Sequence, residues 1–61
     1  MQAIGITIDT TAAAFDDAPA LEVAAILRRL ADRLDAGDPP PATLRDSNGN
    51  ACGRCYVIEA D

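Results

Sequence analysis

The residues of this chain with the clearest capacity for chemistry are two cysteines in the segment Cys52-Gly53-Arg54-Cys55. A Cys-x-x-Cys motif is typical of zinc sites and of redox-active disulfides. Zinc needs four ligands, however, and the chain has two cysteines and no histidine. A thioredoxin-type motif needs its first cysteine at a helix N-terminus, where the helix dipole lowers the thiol pKa. We therefore expect two reduced structural thiols, with a zinc ion shared between two copies or a redox role as alternatives.

Carboxylates are the other groups that could do chemistry. Asp16 and Asp17 form a pair, but they precede a proline, and this order is typical of a helix start. Asp32, Asp35 and Asp38 follow at three-residue spacing, which does not match a calcium-binding loop. The chain also has no histidine as a base and no glycine-rich phosphate loop. The sequence therefore predicts no catalytic residue, no metal, no cofactor and no enzyme activity.

Length and charge narrow the function classes further. The 61 residues predict one domain, and ten Asp and Glu against five arginines give a net charge of −5. Neutralising phosphates needs cations, so we expect no direct nucleic-acid binding, whereas an acidic ligand for a basic protein surface is possible. No apolar run is long enough to span a membrane, and the N-terminus lacks the features of a signal peptide. We expect an intracellular protein without membrane contact.

The N-terminal half predicts a strand followed by a helix. Residues 2–9 alternate with period two, and three isoleucines share one face: Ile4, Ile6 and Ile8. Residues 19–36 predict an amphipathic helix. Its apolar residues fall on one stripe: Val23, Ile26, Leu27, Leu30 and Leu34. A glycine and three prolines then end the helix and form a linker over 38–41.

The C-terminal segment predicts a β-hairpin. Asn48-Gly49 is typical of a two-residue type I′ turn, which would place Leu44 opposite Gly53 and Arg45 opposite Cys52. Residues three apart on a strand point to opposite faces. The two cysteines are then on different sides of the sheet, and we expect the second in the core and the first as a partly exposed thiol.

These elements predict an α+β domain of βαββ order, in which one amphipathic helix packs on a three-stranded antiparallel sheet. The strand spans about 2–9, the helix about 19–36 and the hairpin about 42–59. The predicted core contains Ile4, Ile6, Ile8, Val23, Ile26, Leu27, Leu30, Leu34, Leu44, Cys55 and Val57. Local pattern does not determine which hairpin strand pairs with the first strand, and the second face of the sheet is expected to be open.

Two surfaces are candidates for binding a partner. The open face of the sheet carries Arg45, Arg54 and Tyr56, here called the sheet-face set, and these residue types are enriched at binding hot spots. The second surface, the acidic set, would face a basic partner: Asp16, Asp17, Glu22, Asp32, Asp35 and Asp38. An exposed tyrosine among arginines is also ordinary surface, and charge runs are often only solvated faces.

The pattern AAFDDAPALEVAAILRRLADRLDAG followed by LRDSNGNACG resembles small proteins of phages and mobile elements. In these, a segment like F-D-D-x-P-x-x-E-V-A-x-I-L-R-x-L-A-D-R precedes L-x-D-x-N-G-N-x-x-G, and the match spans residues 15–53. Some small acidic phage proteins of this architecture are anti-CRISPR inhibitors, which block an RNA-guided effector at a basic DNA-binding surface or a subunit contact. The shared motif is a helix start and a turn, so it describes fold more directly than activity, and it leaves both thiols unexplained.

The resemblance implies a non-enzymatic viral inhibitor that binds stoichiometrically to a subunit of a type I CRISPR-Cas effector in the cytoplasm of the bacterial host. The protein would act as a monomer or a weak homodimer. The alternative is a small phage accessory or regulatory protein-interaction module, for example a dimer formed through an exposed strand edge.

Overall fold

The computed structural model describes residues 3–59. It contains strand β1 (Ala3–Ile8), a short 3₁₀ helix (Ala13–Phe15), helix α1 (Pro19–Asp35), and strands β2 (Ala42–Arg45) and β3 (Ala51–Ile58). Helix α1 packs on a three-stranded antiparallel sheet of order β1-β3-β2, which confirms the predicted α+β fold and its βαββ order. The first strand pairs with the second strand of the hairpin. Gln2, the predicted first residue of β1, lies outside the described residues.

Helix α1 ends in a Schellman motif. Gly37 has a φ of 97°, in the left-handed region where glycine is favoured. Its backbone N–H donates to the Leu34 carbonyl at 3.1 Å, and the N–H of Asp38 donates to the Arg33 carbonyl at 3.0 Å. The helix begins directly after Ala18, whose side chain makes no capping bond. The glycine stop was therefore predictable from the sequence, and the N-terminus has no polar cap.

The hairpin turn is a three-residue loop, so the prediction of a two-residue type I′ turn is wrong. The backbone N–H of Asp46 donates to the Asn50 carbonyl, and that of Gly49 donates to the Asp46 carbonyl, both at 2.9 Å. Gly49 has a φ of 83°, but no non-glycine residue of the range 3–59 has a positive φ, and a type I′ turn requires one at Asn48. The bonds instead fit a type I turn followed by a glycine bulge.

The longer loop shifts the pairing, and a bulge in β3 shifts it back. Arg45 lies opposite Ala51 instead of Cys52, yet Leu44 lies opposite Gly53 as predicted. Cys52 is therefore an extra residue of β3 without an opposite residue on β2. Because a bulge interrupts the regular alternation of side chains, Cys52 turns toward the core and is only 8% exposed. The predictions of a partly exposed Cys52 and of two cysteines on different sides of the sheet are wrong for this reason, since both thiols belong to the core.

The core is displaced toward β2. It consists of Phe15, Ile26, Leu30, Ala42, Leu44, Cys52 and Cys55. Four of these were predicted, and Ile8 and Val23 pack against the cluster at its margin. Four other predicted core residues are instead 40–44% exposed: Ile4, Ile6, Leu27 and Leu34. They are exposed because α1 lies along β2, at the far side of the sheet from β1.

Candidate protein-binding surfaces

The sheet-face set lies together on the face of the sheet opposite α1. Side chains of β2 alternate between buried and exposed, which places Arg45 on the exposed face. Arg54 lies on the central strand, opposite Thr43 of β2 and Thr7 of β1. Arg54 therefore has a hydroxyl-bearing residue opposite it on each neighbouring strand. This arrangement gives the open face a polar, hydrogen-bonding centre.

Tyr56 extends the same face toward the end of β3. It lies opposite Gly5 of β1, and a Cβ atom placed on Gly5 would overlap carbon atoms of the tyrosine ring. The missing side chain thus allows the ring to lie over β1, where it is half-buried. Ile58, two residues further along the strand, is 45% exposed. A tyrosine ring has only two side-chain torsions to fix, so a partner gains a large contact area from it at a low entropy cost.

The acidic set does not form one surface. Asp16 and Asp17 are exposed just before the N-terminus of α1, whereas Asp35 and Asp38 lie at its C-terminal end. A helix of 17 residues places its two ends about 25 Å apart. Asp32 is exposed one turn before the C-terminal end. The carboxylates are therefore spread over the length of the molecule.

Glu22, the remaining acidic residue, belongs to a row of α1 side chains that covers the free edge of β2. Strand β2 is at one side of the sheet, so alternate backbone groups point away from β3 and need partners. Three side chains of α1, in order along the helix, bond backbone groups of β2 and of the loop that follows it. The bonds are Ser47 N–H to Glu22 Oε2 at 2.8 Å, Arg29 to the Arg45 carbonyl at 2.9 Å, and Arg33 to the Thr43 carbonyl at 3.0 Å.

A groove of about 560 Å³ lies between α1 and β2, beneath this row. Ile26, Leu30 and Leu44 contribute its apolar lining, and Arg29 and Arg33 also line it. Both guanidiniums already donate to carbonyls of β2, and the three apolar residues are nearly fully buried. The groove is therefore part of the packing between helix and sheet.

Asp46 is the charged residue whose role the sequence reasoning missed. Its side chain is only 4% exposed, and Oδ1 accepts the backbone N–H groups of Asn48 at 2.9 Å and Asn50 at 3.0 Å. Its Oδ2 has no hydrogen-bond partner among the described residues. The role of Asp46 was predictable from the sequence, because aspartate is favoured at the first position of a type I turn and its side chain accepts a hydrogen bond from the backbone N–H two residues on. Asp46 thus organises the loop.

The two thiols are buried and free. Burial raises the pKa of Cys52 above its ordinary value, and the nearby carboxylates of Asp46 and Glu22 raise it further, while Arg29 opposes them. A thiol with a raised pKa stays protonated, which is unlike the reactive thiolates of redox sites. Within residues 3–59, no three His, Cys, Asp or Glu side chains are grouped as metal ligands.

No protein-family model, curated protein or solved structure matches this chain. In the part of the chain that the structure describes, no helix has the length and apolar character needed to cross a membrane.

Proposed function

We propose that this protein is a non-enzymatic binding module that attaches stoichiometrically to another protein through the open face of its sheet. The observation that carries the proposal is the grouping of Arg45, Arg54 and Tyr56 on one uncovered face. Tyrosine and arginine contribute more than other residues to protein interfaces, because each combines a large contact area with hydrogen bonding. Ile58 adds exposed apolar area beside the ring.

As the specific partner we propose a subunit of a bacterial type I CRISPR-Cas effector. The module would inhibit the effector by covering a surface that it needs for DNA or for another subunit. This choice of target rests on the resemblance to small phage and mobile-element proteins. The small size and the charge of −5 are in keeping with a protein that occupies a surface and turns over no substrate.

The sheet-face set supports this function better than the acidic set does. A mimic of DNA phosphates needs carboxylates in a compact row, whereas these lie at opposite ends of α1, and Glu22 is bonded to the Ser47 N–H. The two surfaces also differ in their expected salt dependence. Contacts between exposed charges weaken as salt is raised, while contacts through a partly buried tyrosine change much less.

The experiment is a pull-down from a lysate of a bacterium that carries a type I system, combined with a phage-plating assay. Three proteins are compared: wild type, an Arg54→Ala/Tyr56→Ala variant, and an Asp32→Asn/Asp35→Asn control on the solvent side of α1. We expect wild type and control to capture an effector subunit and restore phage plating, and the sheet-face variant to lose both activities. Circular dichroism checks that each variant is folded.

Two outcomes contradict the proposal. Loss of capture in the acidic variant alone would show that the acidic set binds the partner. A steep loss of capture as salt is raised would support the same conclusion. Failure of the folded wild type to capture any effector subunit, with no restored plating, would remove the CRISPR effector as the target.

A further inference from the structure

Among residues 3–59, no segment forms hydrogen bonds with the outward side of β1. The backbone N–H of Asp9 donates to the Cys52 carbonyl at 2.7 Å, in the same antiparallel register that pairs β1 with β3. Bonded and non-bonded residues alternate along such a pair. The backbone N–H and C=O groups of Ile4, Ile6 and Ile8 therefore point away from β3. These groups form a continuous row of donors and acceptors at the edge of the sheet.

Strand β1 has none of the features that usually keep an edge strand from pairing. Such features are charged side chains, prolines, bulges and covering segments. The sequence of β1, AIGITI, has no charge and no proline, and its register with β3 has no irregularity. Ile4 and Ile6 are 40% and 44% exposed beside the open edge. At the other edge of the sheet, side chains of α1 bond the outward carbonyls of β2.

We infer that β1 pairs with β1 of a second copy of this chain, in an antiparallel arrangement that joins the two sheets into one. The two-fold axis passes beside Ile6, so that each Ile6 lies opposite its counterpart and each Ile4 lies opposite Ile8 of the second copy. Every outward-pointing residue of the strand then has a partner, with two hydrogen bonds for each such pair. An axis beside Gly5 or Thr7 would leave one isoleucine of each strand without a partner in the opposite strand.

The charges of the chain are compatible with this register. Asp9, the charged residue nearest to β1, would lie opposite Ala3 of the second copy. The two Asp9 carboxylates would be about 20 Å apart at the usual rise per strand residue, which exceeds the Debye length in physiological salt. The interface is neutral, and each outward residue of β1 has a partner on β1 of the second copy. The two strands therefore pair without needing opposite charges.

Pairing through β1 does not depend on the proposed function, but it would change how the sheet-face set binds a partner. The dimer would place two sheet-face sets on one continuous surface, related by the two-fold axis. A partner with two equivalent sites would then bind both copies at once, with an avidity higher than the affinity of either.

The first test is sedimentation equilibrium of the full chain from micromolar to millimolar concentration. We expect the mass to rise from 6.3 kDa toward twice that value. Ile6→Lys places two ammonium groups beside the two-fold axis, and we expect it to raise the dissociation constant by at least about tenfold. The matched control is Leu21→Lys, because Leu21 is 72% exposed on α1 and the same apolar-to-lysine change there should leave the dimer intact. Circular dichroism confirms that both variants are folded.

A cross-linking experiment tests the register. Mild oxidation of I6C should give a disulfide-linked dimer, because the two positions lie directly opposite each other, within the Cα distance that a disulfide spans. I4C should not cross-link, since its counterpart would lie several residues away along the strand. A protein that is monomeric at every concentration, or a dimer that Ile6→Lys leaves unchanged, would overturn the inference. Cross-linking of I4C in preference to I6C would overturn the register.

Discussion

At the β2 edge of the sheet, three side chains of α1 bond the strand and the loop beside it, whereas at the β1 edge no described residue bonds the outward backbone groups of three isoleucines. Both edges present the same kind of backbone groups, which need partners equally. The difference lies in the position of the helix. The buried residues of α1, Ile26 and Leu30, belong to the core, which is displaced toward β2. Strand β1 is at the opposite edge of the sheet, with β3 between it and β2.

Polar residues of α1 bond the β2 side of the sheet in this position. Glu22, Arg29 and Arg33 are seven and four residues apart, so they fall on one flank of the buried stripe. Their bonds to β2 and its loop hold that flank against the edge of the sheet. Leu27 and Leu34, on the opposite flank, are turned outward and exposed. Charged residues on one flank of the apolar stripe thus bond the strand that the helix covers, whereas the flank with Leu27 and Leu34 faces away from it.

The largest expected effect is the loss of stability when a buried residue of α1 is truncated, compared with a partly exposed residue of β1. Leu30→Ala should reduce the free energy of unfolding by about 2–4 kcal/mol, because it leaves a cavity at a residue that is 3% exposed. Ile4→Ala should reduce it by less than about 1 kcal/mol, because Ile4 is already 40% exposed in the monomer. Urea unfolding at low protein concentration measures both values without a contribution from dimerisation. Equal losses would show that the β1 half is packed as well as the β2 half.

The order of elements and part of the hairpin pairing could be predicted from the sequence, whereas the pairing of β1 with β3 could not. Period-two alternation located β1, three- and four-residue spacing located α1, and Leu44 lies opposite Gly53 as the hairpin pattern indicated. The position of the helix could not be predicted, because periodicity defines an apolar stripe but not the strand that it covers. The predicted core joined the isoleucines of β1 to the apolar stripe of α1, whereas the exposure of Ile4 and Ile6 shows that the helix is displaced toward β2.

The sequence also left the turn ambiguous, and this affected the predicted exposure of Cys52. Asn-Gly fits both two-residue and three-residue loops. The side chain of Asp46 favours the longer loop, because its carboxylate bonds the N–H groups of Asn48 and Asn50. The resulting shift makes Cys52 a bulge residue and buries it. Arg45 lies beside this irregularity but remains on the open face with Arg54 and Tyr56, as alternation along each strand predicted.

A smaller effect is expected from the side chains that cover β2. Arg29→Ala and Arg33→Ala each remove one exposed hydrogen bond to a strand carbonyl, and each should reduce the free energy of unfolding by about 0.5–1 kcal/mol. Arg28→Ala is the control, because Arg28 is an exposed neighbour of the same type on the same helix. Urea unfolding in low salt measures the three variants. An equal loss in the control would mean that net charge, and not the cover of the edge, explains the effect.

The smallest effect concerns the thiol in the covered half. The pKa of Cys52 is raised in the folded protein, chiefly by burial, so the unfolded chain loses this proton first as pH rises. The associated stability is present below the ordinary thiol pKa near 9.0 and is lost as pH rises through the higher folded value. Wild type should therefore lose stability more steeply than Cys52→Ala between about pH 8 and about pH 10.

Thiol labelling at neutral pH provides the matching kinetic measurement. A buried, protonated thiol reacts slowly with a disulfide reagent, so labelling of the native protein should be much slower than labelling in denaturant. If the bulge instead left Cys52 at the surface, its labelling rate would approach that of the unfolded chain, and the pH profiles of wild type and Cys52→Ala would coincide. A cysteine introduced as I6C on the open edge gives the contrast within the same molecule, because a partly exposed thiol there should label rapidly in the dilute monomer and more slowly as β1 pairs at high concentration.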